Sequence, residues 1–241
     1  MPTIFQIPTF IQILEFIGTF AFAISGIRLA SAKQFDWFGA YVAGVAVAIG
    51  GGTIRDVLLD VTPFWMTNPI YLICSALALL WVIFFRKHLI HMHNTFFIFD
   101  SIGLALFTVV GISKTIDLGY AFWVAIIMGT MTGAAGGVIR DVFINEIPLI
   151  FRKEIYAMAC VIGGVIYWGL DRLGVDAALT QVISGCCIFS TRFGCKIPNL
   201  PAYLEGGIKS VRLYSGNIRS PEKLIDSRFC ISTSMLDEPL E

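Results

Sequence analysis

Two arginine–aspartate pairs, Arg55-Asp56 and Arg140-Asp141, lie in strongly apolar stretches, each just after a run of small residues. The first run is Gly50-Gly51-Gly52-Thr53 and the second is Ala135-Gly136-Gly137-Val138. A charge at the centre of a bilayer costs about 2.5–3.5 kcal/mol on the insertion scale. Such residues must therefore pair, face water or sit near the interface. Glycine costs about 1 kcal/mol relative to alanine inside a helix, so three in succession are expected to bend or open the helix. An opened helix frees carbonyl oxygens, which are tolerated at membrane depth only inside the protein or along a water-filled path. Freed carbonyls are also the ligands that a dehydrated alkali cation takes. The simpler use of glycine is close helix packing, and Gly44, Gly129 and Gly133 fit it as small-residue interfaces. The second run has Ala134-Ala135 where the first has Ile49-Gly50, so less bending is expected there.

Partners for the arginines come from two further intramembrane acids. Glu15 and Arg55 are expected near one membrane face, and Asp100 and Arg140 near the other. The spacing suggests two equivalent pairs, each near one mouth of a path. Asp56 and Asp141 are left to face elsewhere or to cap nearby backbone. A purely structural role, locking helix ends and setting topology, is compatible with the same pairs. Neutralised pairs suit a cation path better than bare arginines, whose field repels cations.

The elements that must position these residues are membrane helices. The chain is 56% hydrophobic and 14% charged, with a mean hydropathy of +0.79, whereas soluble domains carry about 25% charged residues. At about 20 apolar residues per crossing, seven spans are predicted: 8–29, 38–60, 69–86, 95–115, 120–144, 154–170 and 175–194. The first is read as a membrane helix and not as a cleaved signal peptide, because no basic segment precedes it. Lys33, the Arg86-Lys87 loop with His88, His91 and His93, Arg152-Lys153 and the tail's basic residues all fall on one side. The positive-inside rule then puts the amino terminus outside and the carboxy terminus in the cytoplasm.

The chain is also internally duplicated. Gly51-Gly52-Thr53-Ile54-Arg55-Asp56-Val57 returns 85 residues later as Gly136-Gly137-Val138-Ile139-Arg140-Asp141-Val142. At that offset, 16 of the 58 positions from Leu14 to Tyr71 are identical, and the matches cluster on Gly, Pro, Arg and Asp. A repeat of three spans must be inverted relative to its copy. The expected fold is all-α: two inverted three-helix repeats, 1–90 and 91–173, a seventh helix over 174–198 and a cytoplasmic tail over 199–241.

Inverted repeats with interrupted helices point to a channel or a secondary transporter. A substrate carboxylate wants amide hydrogens at half-helix N-termini, whereas a cation wants carbonyls. Mid-depth positions offer Gly, Ala and Thr and no unpaired acid, which favours a cation path over carriage of a small amino acid such as glycine. No catalytic set, P-loop or zinc signature is present, so an enzyme is not expected. The six cysteines form no CxxC pair, and the three histidines read as part of a basic headgroup-facing loop. No cofactor is expected beyond a permeant potassium or sodium ion. Zero net charge with scattered basic residues gives no nucleic-acid surface.

The doubled Gly-Gly-x-Ile-Arg-Asp-Val, with Pro63 and Pro148 seven residues beyond Asp56 and Asp141, resembles the prokaryotic branch of the trimeric intracellular cation (TRIC) channel family. The same sequences are also grouped under a domain named for glycine transport. The resemblance covers residues 10–198. It implies a symmetric homotrimer, with a potassium-permeable path in each protomer between the second and fifth spans. It also implies phospholipid bound between subunits, and the bacterial scale of the chain points to the plasma (inner) membrane. The chain departs from the animal members in lacking a lysine-rich lipid-binding motif near the second span.

Overall fold

The computed structural model describes residues 9–85, 95–152 and 155–194, and every regular element among them is helical. In chain order these are α1 (Phe10–Ala32), α2 (Trp37–Leu58), α3 (Phe64–Thr67), α4 (Ile70–Phe84), α5 (Thr95–Asp117), α6 (Phe122–Phe143), α7 (Leu149–Arg152), α8 (Ile155–Arg172) and α9 (Ala177–Gly194). The Arg86–His93 loop, Lys153 and the 199–241 tail lie outside the described residues.

Four helices, α1, α2, α5 and α6, are long and apolar enough to cross a bilayer. Each is 22 or 23 residues long, or about 33–35 Å at 1.5 Å per residue. The remaining long helices fall short of that standard. The 15 residues of α4 span about 22 Å, and α8 and α9 have 18 each, about 27 Å. Helix α9 also carries Thr180, Gln181, Ser184 and Arg192 on its buried side.

The core is built on pairwise exchange between the two copies. Helices α1 and α5 pack antiparallel: the face of Gly18 receives the Phe107 ring, and the face of Gly103 receives the Phe22 ring. The two phenylalanines stack on each other with centroids 5.4 Å apart and planes 9° from parallel. The same exchange recurs within each copy. Gly44 seats against Ile27 and the carbonyl of Ala23, and Gly129 against Ile112 and the carbonyl of Thr108.

Helices α2 and α6 cross antiparallel at their glycines. A Cβ on Gly51 would collide with the carbonyl oxygen of Thr132, and a Cβ on Gly136 would lie 2.8 Å from that of Val47. Val47 and Thr132 are themselves 85 residues apart. Here the structure corrects the sequence reading. Both α2 and α6 run as uninterrupted α-helices through Gly50-Gly51-Gly52-Thr53 and Ala135-Gly136-Gly137-Val138. No carbonyl is released by an opened turn. The missing side chains are used for backbone-to-backbone approach, which leaves each helix's own hydrogen bonds in place. The Thr53 hydroxyl is likewise engaged, donating to the Ile49 carbonyl at 2.7 Å and accepting from the Trp65 indole at 3.0 Å.

Candidate functional site: two charge clusters about a glycine crossing

Each RD pair ends its helix in the same way. Arg55 donates from Nε to Asp56 Oδ1 at 2.8 Å, and Arg140 to Asp141 Oδ1 at 2.9 Å. The second oxygen of each aspartate turns forward to cap the next short helix. Asp56 accepts from the Phe64 amide at 2.9 Å and Asp141 from the Leu149 amide at 2.8 Å. Both follow a left-handed residue, Asp60 (φ 56°) or Asn145 (φ 56°), which ends α2 or α6. Asp and Asn tolerate that conformation better than most side chains. Pro63 and Pro148 then lead into α3 and α7.

The first cluster gathers on Glu15 of α1. Its Oε1 lies 3.6 Å from Arg55 Nη2 and also takes an ion pair from Lys114 of α5. Its Oε2 accepts from the Tyr71 hydroxyl of α4 at 2.8 Å. The second cluster gathers on Asp100 of α5. Its two oxygens are gripped separately, Oδ1 by Arg140 and Oδ2 by Arg192 of α9. Arg140 also reaches the Ser25 hydroxyl of α1 at 3.2 Å. Glu15, Arg55, Asp100 and Arg140 are each no more than 1% exposed.

Each cluster balances two acids with two bases: Glu15 and Asp56 with Arg55 and Lys114, then Asp100 and Asp141 with Arg140 and Arg192. Balance is what burial demands, because an uncompensated charge in low dielectric carries a large desolvation penalty. Glu15 and Ser25 mark the two clusters on α1. They are ten residues apart, about 15 Å along the helix, so both clusters fit within one hydrocarbon thickness. The α2–α6 crossing lies between them.

Lys114 and Arg192 escaped the pairing logic of the sequence. Neither enters the pairs that the sequence suggests for the intramembrane acids. The signal for Arg192 was its place in an apolar segment, since such a charge needs a named partner.

A cavity of about 520 Å³ opens onto the first cluster. Glu15, Asp56, Asp117 and Lys114 contribute its charged lining, with Asn68 and Tyr71 among the polar groups.

The geometry defines a class: a duplicated, all-helical, multi-pass membrane protein with buried, balanced charges on either side of a helix crossing. Comparison with known proteins gives the family. The family model described as "Glycine transporter" matches twice, over residues 12–87 and 97–172. The chain is 42% identical over 156 residues to the inner membrane protein YadS of Escherichia coli K12, covering 64% of this chain and 75% of that one. It superposes on the TRIC trimeric intracellular cation channel orthologue of Rhodobacter sphaeroides with a TM-score of 0.74 at 31% identity, covering 80% of this chain and 100% of that chain. A prokaryotic TRIC channel crystallised in 0.5 M KCl gives a TM-score of 0.71, again at 31% identity, over 76% of this chain and 93% of that chain. The chain belongs to this family, the prokaryotic TRIC channels whose sequence model bears the glycine-transporter description.

Proposed function

We propose that the chain is a passive monovalent cation channel, permeable to potassium, with one path per protomer between α2 and α6. The long helices α1, α2, α4, α5, α6, α8 and α9 are taken as seven spans: two inverted three-helix repeats and a closing helix. The repeats occupy 1–90 and 91–173, the closing helix 174–198 and the tail 199–241. The protein works as a homotrimer with phospholipid between subunits, in the plasma membrane, with its amino terminus outside and its carboxy terminus in the cytoplasm. The antiparallel packing of α1 on α5 and of α2 on α6 supports the inversion, and the likeness to TRIC channels supports the cation and the trimer.

The observation that carries the reading is the neutral charge cluster on each side of a crossing made of glycine. Balanced mouths do not repel a cation. Gly51 and Gly136 hold the crossing shut through backbone contact alone, so a small separation of α2 from α6 exposes the carbonyls of Val47 and Thr132. They lie on the same two helices, three residues before the segments that the sequence marks as path-lining: Gly50, Gly51, Gly52 and Thr53 with Ala135, Gly136, Gly137 and Val138. The cavity at the first cluster is the entrance, and Glu15, Arg55 and Asp56 with their counterparts Asp100, Arg140 and Asp141 guard the mouths.

The family description keeps carriage of glycine as the second reading. Purified protein in a planar bilayer under a potassium chloride gradient decides between them. Discrete openings reversing near the potassium potential support the channel. A silent bilayer, with glycine uptake into proteoliposomes, overturns it. Lys114→Gln tests the entrance. Its removal leaves Glu15, Asp56 and Asp117 in excess, so unitary potassium conductance rises at low salt. The gain shrinks toward 1 M KCl, where the Debye length is about 3 Å against about 10 Å at 0.1 M. Unchanged conductance at every salt concentration removes this cavity from the path.

A further inference from the structure

The two clusters differ in several members, since Lys114 and Ser25 have Leu29 and Val110 as repeat counterparts, but one difference leaves a hydrogen bond unmade. Tyr71 of the first copy corresponds to Tyr156 of the second at the 85-residue offset. Tyr71 donates to its carboxylate, Glu15 Oε2, at 2.8 Å. Tyr156 donates to nothing: its buried hydroxyl has no hydrogen-bond partner among the described residues. The second oxygen of Asp100 is taken by Arg192 instead. The guanidinium of Arg192 lies over the Tyr156 ring, 4.3 Å from its centroid, and its Nη1 is also buried without a hydrogen-bond partner. Tyr156 is nevertheless beside its natural acceptor. A Cβ on Gly137 would strike the Tyr156 hydroxyl and lie 3.6 Å from Asp100 Oδ1.

We propose that Arg192 is a removable latch on the second mouth and that Tyr156 is the group that replaces it. In the structure described, the latch is closed. When α9 draws Arg192 off Asp100, the Tyr156 hydroxyl turns onto the freed carboxylate and reproduces the Tyr71–Glu15 bond of the first cluster. An unmade hydrogen bond on a buried hydroxyl is costly, and the exchange satisfies it while leaving Asp100 paired with Arg140; the one acid left in excess is offset by water or an entering cation at the opened mouth. The tyrosine–carboxylate bond of the open arrangement is therefore already built once in the molecule, at the first cluster, where a cavity reaches the charges. The latch belongs to α9, the one long helix outside the repeats, so one mouth carries a control element that the other lacks. The role as a gate rests on the channel reading, whereas the exchange itself does not.

The test compares Tyr156→Phe, Arg192→Gln and the double variant with the unaltered chain, in planar bilayers and by thiol labelling. Tyr156→Phe deletes only a hydroxyl that bonds to nothing in the closed structure, so a packing role predicts no change. The latch predicts that open probability falls about tenfold, within the usual range of coupling between two-state elements. Arg192→Gln raises open probability by a similar factor, and adding Tyr156→Phe removes that gain. Cys160, fully buried one turn beyond Tyr156 on α8, reports the exchange without conduction. With the other cysteines changed to serine, Arg192→Gln speeds its labelling by a small thiol reagent several-fold. Should the unaltered chain fail to conduct, the channel reading falls and the labelling alone judges the latch. Unchanged labelling in Arg192→Gln, or a Tyr156→Phe channel identical to the unaltered one, overturns it. If Arg192→Gln does not assemble, Tyr156→Phe decides.

Discussion

Exchanging the charges of Asp100 and Arg140 will not restore the fold that Asp100→Arg destroys. Considered as an isolated pair, the swap conserves charge and geometry and rescue is expected. The structure shows that neither member is isolated. An arginine at position 100 faces Arg192, which now grips Asp100 Oδ2. An aspartate at position 140 abuts Asp141, which is committed to the Leu149 amide. The double variant thus buries two like-charge contacts in place of the original attractions. Removing one partner of a buried pair costs about 3–5 kcal/mol, a large part of the 5–15 kcal/mol by which domains are typically stable. Asp100→Asn is therefore expected to fold poorly, because one carboxylate serves two guanidinium groups. Size-exclusion profiles and thermal unfolding in detergent measure the effect. Full recovery of the swapped protein would show that Arg192 is not bound at Asp100.

Alanine at the four crossing glycines will sort them by what stands opposite. Gly51→Ala drives a methyl group into the Thr132 carbonyl oxygen, which is backbone and cannot swing aside. Overpacking of this kind costs about 1–3 kcal/mol, more than the roughly 1 kcal/mol that alanine returns as helix propensity. Gly136→Ala meets the Val47 carbonyl at 2.8 Å and behaves similarly. Gly50→Ala meets only the terminal carbon of Ile139, a flexible side-chain end, so its unfolding temperature stays near or above that of the unaltered chain. Gly137→Ala is intermediate, since it presses the Tyr156 hydroxyl. Leucine at both Gly51 and Gly52 accordingly abolishes assembly as well as flux, because a side chain on Gly52 would collide with the Phe64 ring and one on Gly51 with backbone. A folded Gly51→Ala protein with unchanged melting would mean that α2 and α6 do not touch there.

These outcomes show which parts of the molecule were legible in its sequence. The duplication carried most of the information. The offset that aligns Gly18 with Gly103 and Arg55 with Arg140 also relates the ring notches, the carbonyl contacts and the aspartate caps. Glu15 and Arg55 come together, as do Asp100 and Arg140, because intramembrane charges have few alternatives. The state of the glycine runs was not legible, since helix propensity counts the local cost of glycine and is blind to a neighbouring backbone that needs the space. The short helices α3 and α7 were missed because four residues are too few to show periodicity. Their markers, Pro63 and Pro148, were visible as motif residues without a structural role attached.

The reciprocal notches of α1 and α5 have a genetic consequence. Phe22 fills the space over Gly103, and Phe107 the space over Gly18, so one kind of contact is encoded at two independent places in one reading frame. Each ring and its glycine can change separately, and a larger residue at position 18 or 103 is accommodated only if the opposing ring shrinks. The two glycine–phenylalanine pairs are thereby held identical in both halves, although neighbouring positions such as Ala21 and Leu106 have diverged.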